Sequence, residues 1–178
     1  MLTPAPSSPR LSFRLLARTD LQPFHRLARD EHVRRFLLDG ELVSEAWCEQ
    51  LIAASAREFA ENKLGIWLLH AREGVEVGAL GFAGFWRFDG IGATPQLVYA
   101  LKEEHTGRGY AREVAVALIH FARAHKSLSD IDAAVDEPNL ASCRVLTGLG
   151  FMLRGEVPGA FGKMLLFRLS GGTPPKER

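Results

Sequence analysis

The apolar and polar positions fall into short segments with a repeat of two or of 3.6 residues, separated by acidic, glycine and proline turns. "RLSFRLLAR" (10–18) opens with alternation and then turns apolar, which predicts a strand. Asp20 is placed to cap a helix over 21–30, and Ser44 a second over 45–61, on which Trp47, Leu51 and Ala54 share a face. "GIWLLHAR" and "EVGALGFAGFWRF", separated by "EGV", predict a hairpin. After the loop "DGIGATP" comes a strand, "QLVYALK". "EEHTGRGYAREVAVALIHFA" (103–122) follows, a glycine-broken turn running into a helix with Tyr110, Val114, Ala117, Leu118 and Phe121 on one side. "DIDAAVD" (130–136) predicts a short buried strand, and Pro138 and Asn139 open a brief helix that Gly148 and Gly150 close. "FMLRGEV" and "GKMLLFRLS" supply the last strands. Strands dominate early and alternate with helices later, so the expected class is α/β (α+β), a mixed central sheet of six to seven strands flanked by helices.

Composition narrows the function classes. A chain of 178 residues, 47% hydrophobic and 24% charged, suits one soluble domain, expected over 10–170 between a disordered lead (1–9) and a flexible tail (171–178). A net charge of +1 gives no bulk attraction to nucleic acid or to an anionic membrane. "MLTPAPSSPR" lacks a signal-peptide core, and no apolar run reaches the length of a membrane span. Cys48 and Cys143 lie far apart without CxxC spacing, which fits a reducing cytoplasm and neither a disulfide framework nor a zinc site. His25, His32, His70, His120 and His125 show no ligand spacing, so no metal is expected.

The glycines at 107 and 109 carry the chemistry. The first amides of a helix have no partner within it, and the helix dipole makes that end positive, so a glycine turn there is either a plain helix entry or a phosphate cradle. A P-loop would need Gly-Lys-Ser/Thr, which "TGRGYAR" lacks. A dinucleotide fingerprint would need a small residue at Arg112 and an early βαβ unit, which leaves a nicotinamide-dependent oxidoreductase a distant alternative.

"LVYALKEEHTGRGYAREVAVALI" resembles the pyrophosphate-binding segment of the GNAT superfamily of N-acetyltransferases, whose Q/R-x-x-G-x-G/A pattern falls on Thr106, Gly109 and Ala111. "NLASCRVLTGLGF" (139–151) is similar to the superfamily's Asn-x-x-Ser…Leu-Gly-Phe segment. "RLSFRLLARTDLQPFHRLA" is similar to the first strand and helix of its branch that acetylates the N-termini of ribosomal proteins. The resemblance covers residues 10–169 and implies acetyl-CoA as co-substrate and a primary amine, on a small molecule or a protein N-terminus, as acceptor.

On this resemblance the turn Thr106, Gly107, Arg108, Gly109, Tyr110, Ala111 and Arg112 would cradle the pyrophosphate, with Arg108 and Arg112 meeting phosphate oxygens. Pantetheine would lie along "LVYAL" as a pseudo-strand, with an amide near Ala100 or Leu101 polarising the thioester carbonyl. Asn139 is either a helix cap or a contact to the pantetheine arm, and Arg144 would reach the adenosine phosphates. Ser142 would protonate the departing thiolate or hold its sulfur. Cys143 beside it reads as a structural thiol.

The general base is unassigned. Relatives carry a glutamate at the position Gln96 occupies, and glutamine cannot accept a proton. Glu103 and Glu104 read as solvated turn residues, and His105 as a loop contact near the cofactor. With no base, roughly a third of an α-amine is already neutral around pH 7.5, against about 0.1% of a lysine amine, which favours N-terminal or other low-pKa amines. Asp39, Glu41, Glu45 and Asp89 are available to attract the ammonium. The same missing base motivates the alternative of a non-catalytic acyl-CoA sensor. Exposed strands leave a homodimer open.

Overall fold

The computed structural model describes residues 4–73, 78–88, 90–91, 94–125, 127–172 and 175. The expected "EGV" turn beyond Glu73, Asp89 and most of the tail lie outside them. Seven strands form one mixed sheet, within the expected six to seven, in the order β1-β2-β3-β4-β5-β7-β6. They are β1 (Leu11–Leu15), β2 (Ile66–Ala71), β3 (Gly81–Trp86), β4 (Gln96–Leu101), β5 (Ile131–Asp136), β6 (Met152–Gly159) and β7 (Gly162–Leu169). The five helices are α1 (Leu21–Ala28), α2 (Glu31–Leu37), α3 (Glu45–Asn62), α4 (Tyr110–Ala124) and α5 (Leu140–Leu149). No helix among the described residues is long and apolar enough to cross a membrane.

Alternation along the strands sends side chains to two separate cores. Trp67, Leu69, Phe85, Leu97, Leu101, Ala133 and Val135 pack under α4 and α5, whose Val114, Leu118, Phe121, Leu146 and Leu149 are buried there. Ile66, Leu68, Phe82, Val98 and Ala100 pack on the other face against Phe24, Leu27, Val33, Cys48 and Ile52 of α1, α2 and α3. β2, β3 and β4 therefore each serve both cores through alternate residues, as period two requires.

Three expectations change. The first predicted helix, over 21–30, ends at Ala28, and α2, which no expectation covered, follows it with Asp30 as its cap, accepting from the His32 and Val33 amides. Asp20 makes no cap bond and instead accepts from Arg14 and the Ala17 amide. On α3 the buried stripe is Cys48, Ile52 and Ser55, one position along from the predicted Trp47, Leu51 and Ala54. The reason is local: the Ser55 hydroxyl accepts from the Ile66 amide at 2.8 Å and fixes the rotation of the helix over β2. Trp47 then lies half-buried against Trp86, ring centres 5.4 Å apart.

The lead expected to be disordered is held from Ser8 onward. The Ser8 hydroxyl and the Arg10 amide and guanidinium all donate to the Glu113 carboxylate, the last at 2.7 Å. Arg10 also donates to the Arg108 carbonyl at 3.0 Å and lies over the Tyr110 ring. The start of the chain thus braces the entry of α4.

Candidate active site

The sheet comes apart between its two parallel strands. β3 and β4 pair at every position from Gly81↔Leu101 to Trp86↔Gln96, whereas β4 and β5 pair only at Gln96↔Asp132. Beyond that pair the β4 edge facing β5 has no strand partner, so its peptide groups face a cleft. The cavity there is about 700 Å³, with Leu97–Leu101 on one wall and Ala133–Val135 on the other. The glycine turn and the first turn of α4 close one end of it; α5 supplies a side, and His32, Phe36 and Leu37 of α2 lie across it.

The turn is built by a short 3-10 segment, Glu103–His105, from which the Thr106 hydroxyl donates back to the Glu103 carbonyl at 2.7 Å. Gly107 and Gly109 have φ of +71° and +80°, the left-handed region in which glycine is least strained. A side chain at Gly107 would meet nothing within 4 Å, so backbone conformation rather than crowding by the protein selects glycine there. The first helical bond of α4 runs from the Glu113 amide to the Gly109 carbonyl, at 3.2 Å. The amides of Tyr110, Ala111 and Arg112 precede that ladder at the positive end of the helix, beside the cavity.

Most of the predicted positions come together. Ala100, Leu101, Thr106, Gly107, Gly109, Tyr110, Ala111, Arg112, Asn139, Ser142 and Arg144 all line the cavity. Arg108 is exposed and absent from that lining; its carbonyl, held by Arg10, is its fixed group. Arg112 lies against α5, its guanidinium 3.2 Å from where a Cβ of Gly148 would stand. Asn139 caps α5, accepting from the Ser142 amide at 3.1 Å. Its carbonyl oxygen is committed to that bond, and the side chain still borders the cavity, so the two alternatives read for it are compatible.

Tyr99 points to the α4 and α5 face, and its buried hydroxyl makes no completed hydrogen bond. Burial pushes the phenol up to about 12, against the lowering influence of Ser142 beside it. His105 is buried in the cavity wall, with its Nε2 3.3 Å from Glu104. Cys143, on α5, packs against the core, and burial raises its thiol.

Gln96 is buried, its amide donates to the Thr94 carbonyl at 3.0 Å, and it does not line the cavity. Asp39 and Glu41 are exposed on the connection from α2 to α3, and Glu45 is exposed on the first turn of α3. Sequence reading missed two acids that the fold makes conspicuous. Glu113 is the anchor for the lead, and Asp136, at the end of β5, is buried without a hydrogen-bond partner on Oδ1.

A parallel strand pair that separates after one contact, with a glycine turn and a helix N-terminus at the mouth, suits an elongated ligand with phosphates at one end and amides along its length. Residues 10–152 match the family model described as an acetyltransferase (GNAT) domain, and the chain belongs to that family. It is 32% identical over 88 residues to the N-acetyltransferase YjdG of Bacillus subtilis, a match covering 49% of this chain and 51% of that protein. A second match, to the N-acetyltransferase p20 of Bacillus licheniformis, is 30% identical over 43% of each chain, so the chain spans about half the length of the curated relatives it matches or less. Among solved structures, an acetyltransferase of this family from Bordetella pertussis superposes with a TM-score of 0.79 at 23% identity over 92% of this chain and 98% of its own. The RimL ribosomal L7/L12 α-N-protein acetyltransferase, solved with coenzyme A, superposes with a TM-score of 0.76 at 14% identity over 97% and 99% of the two chains.

Proposed function

We propose that this protein is an acetyl-CoA-dependent N-acetyltransferase that passes the acetyl group directly to a primary amine, with N-terminal α-amines and other low-pKa amines favoured. The observation that carries this reading is the opening between β4 and β5, one paired position followed by a cleft with the glycine turn at its mouth. The residues present fit the co-substrate. Unpaired peptide edge on β4 matches the two amides of pantetheine, and the space over Gly107 leaves the pyrophosphate room to reach the amides of α4. Ala100 and Leu101 would present backbone to the thioester, Thr106 to Arg112 would hold the diphosphate, and Arg144 would meet the outer phosphates. When bound, acetyl-CoA supplies an activated thioester carbonyl. The protein's part is to fix it so that an amine meets it at high effective concentration. Ser142, on the first turn of α5 and beside Tyr99, lines the cleft and would hand a proton to the departing sulfur.

The α-amine preference rests on the lower pKa of such amines, which leaves more of the amine neutral near pH 7.5 and makes its proton easier to remove. It is in keeping with relatives of the same fold, such as the ribosomal-protein-S5-alanine acetyltransferase from Vibrio fischeri. Calorimetric titration of acetyl-CoA tests the cofactor reading. Asp and Asn both tolerate a left-handed backbone, so Gly107→Asp and Gly107→Asn strain the turn alike and differ in charge. Gly107→Asp is expected to bind roughly 10–100-fold more weakly than Gly107→Asn, because a carboxylate then faces the diphosphate. No binding to the wild type would sink the reading. A thiol-release screen over N-terminal peptides, lysine, polyamines and amino sugars then separates a catalyst from an acyl-CoA sensor, which binds but releases no coenzyme A.

A further inference from the structure

On β5 the residues Asp132, Ala134 and Asp136 share the face opposite Ile131, Ala133 and Val135. Asp132 is satisfied there by a two-point pairing with Arg168, at 2.6 and 2.8 Å. Asp136 has no such partner: it is 6% exposed, its Oδ1 is buried without a hydrogen bond, and among the described residues its carboxylate has no ion pair. Gly159 of β6 closes over it, so tightly that a Cβ there would stand 3.0 Å from that oxygen.

The charged groups around it make matters worse. Asp39, from the connection between α2 and α3, is of like charge, and Glu137 follows in the chain. The nearby cation on β7, Lys163, is engaged by Glu156 at 2.7 Å. Burial first, and Asp39 second, hold the Asp136 carboxyl above the ordinary carboxylate range. A desolvated carboxylate without a cation costs stability, and it persists where an arriving group supplies the missing charge. Its place agrees: its chain neighbours Ala134, Val135 and Pro138 line the cleft beyond the point where β4 and β5 part, and its side chain lies on the face of β5 opposite Ala133 and Val135, away from α4 and α5.

We propose that Asp136 is the docking point for the acceptor's primary ammonium group and the base that takes its proton, the role for which Gln96 is chemically unfit. The inference rests on the acetyltransferase reading. The ammonium gives one proton to Asp136. The neutral amine then forms its N–C bond as the C–S bond breaks, and the leaving thiolate takes the second amine proton. Asp136 returns its own proton to water, which leaves amide, free thiol and one released proton. Asp39 adds to the negative field that draws the cation in.

The test is Asp136→Asn in the full chain, read by three measurements. Acetyl-CoA affinity by calorimetry is expected to match the wild type. Its loss in the wild type would instead strike the cofactor reading and leave Asp136 to the other two measurements. Thermal unfolding without ligand at pH 8 is expected to show the variant's midpoint raised by about 2–4 °C, because an unbalanced charge has been removed. Thiol release with an alanine-N-terminal peptide is expected to fall by about 100-fold or more at pH 7, with the deficit shrinking towards pH 9 as the amine ionises less. A lowered unfolding midpoint would mean that Asp136 is an ordinary structural carboxylate and would overturn the proposal, as would thiol release within twofold of wild type across pH 6–9.

Discussion

Glu113 is a half-buried and Asp136 a buried carboxylate, and the fold treats them in opposite ways. Glu113, on the first turn of α4, accepts from Ser8 and from the amide and guanidinium of Arg10. Burial alone would raise its pKa, but those hydrogen bonds and the Arg10 charge outweigh it, so the carboxyl lies below its ordinary value. Asp136 has burial and Asp39 acting on it in the same direction, with nothing opposing, and lies above its ordinary value. The first is a finished contact, closing Ser8 and Arg10 onto the first turn of α4. The second is half of a contact. Enclosure by itself therefore says little about function; whether the charge has been answered within the chain says much more.

The comparison breaks first if Glu113 turns out not to carry stability. Glu113→Gln keeps the shape and removes the charge that Arg10 pairs with, at a site where Arg10 itself is half-exposed. The expected cost is about 1–2 kcal/mol, a fall in unfolding midpoint of about 2–6 °C at pH 7. Weaker acetyl-CoA binding should accompany it, since Arg10 also holds the Arg108 carbonyl within the glycine turn. An unchanged midpoint would make the Ser8–Arg10–Glu113 cluster ornamental.

A pH series of unfolding midpoints sharpens the same contrast. Glu113 has a lowered pKa in the folded state, so its stabilisation is present above the unfolded value and is lost as pH falls through the folded one. Asp136 has a raised folded pKa, so its penalty is absent below the ordinary Asp range and complete only above the folded value. Glu113→Gln should therefore lie below the wild type and Asp136→Asn above it at pH 8, with both curves rejoining the wild type in acid. Two curves on the same side of the wild type would erase the distinction.

Much of this was legible in the residues. Period two located the strands, Ser44 and Asn139 announced their helices, and Gly107 and Gly109 announced the turn that opens α4, because these signals are local. The helix α2 was missed, although Asp30 is a strong cap, because its seven residues are too few to show a clear helical repeat. The rotation of α3 depends on Ser55 meeting Ile66, and the bracing of α4 on Ser8 meeting Glu113 across 105 residues. Neither is written in a short window of sequence. Asp136 was read only as the end of a buried strand. Its significance is the want of a partner, which only the assembled surroundings disclose: Asp132, on the same face of the same strand, has Arg168, and Asp136 does not.

Tyr99 offers the finest version of the comparison, a buried group left unanswered that is neutral at working pH. Its hydroxyl is enclosed without a hydrogen bond, and burial moves it from the ordinary 10.0 to about 12. Being uncharged, it carries no penalty at pH 7, unlike Asp136. Its raised folded pKa means that its share of stability is intact below pH 10 and drains away as pH rises towards 12, because the unfolded phenol ionises first. In a Tyr110→Phe background Tyr99 is the only tyrosine, so tyrosinate absorbance reports it alone. At pH 11 the folded protein should show little tyrosinate, and the signal should rise in step with unfolding. Tyr99→Phe should flatten the loss of stability above pH 10 by up to about 1.4 kcal/mol per pH unit and leave neutral-pH stability nearly unchanged. Ordinary ionisation near pH 10 in the folded state would show that water reaches the hydroxyl, and that the wall shared by Tyr99 and Ser142 is open to solvent, not closed around the departing sulfur.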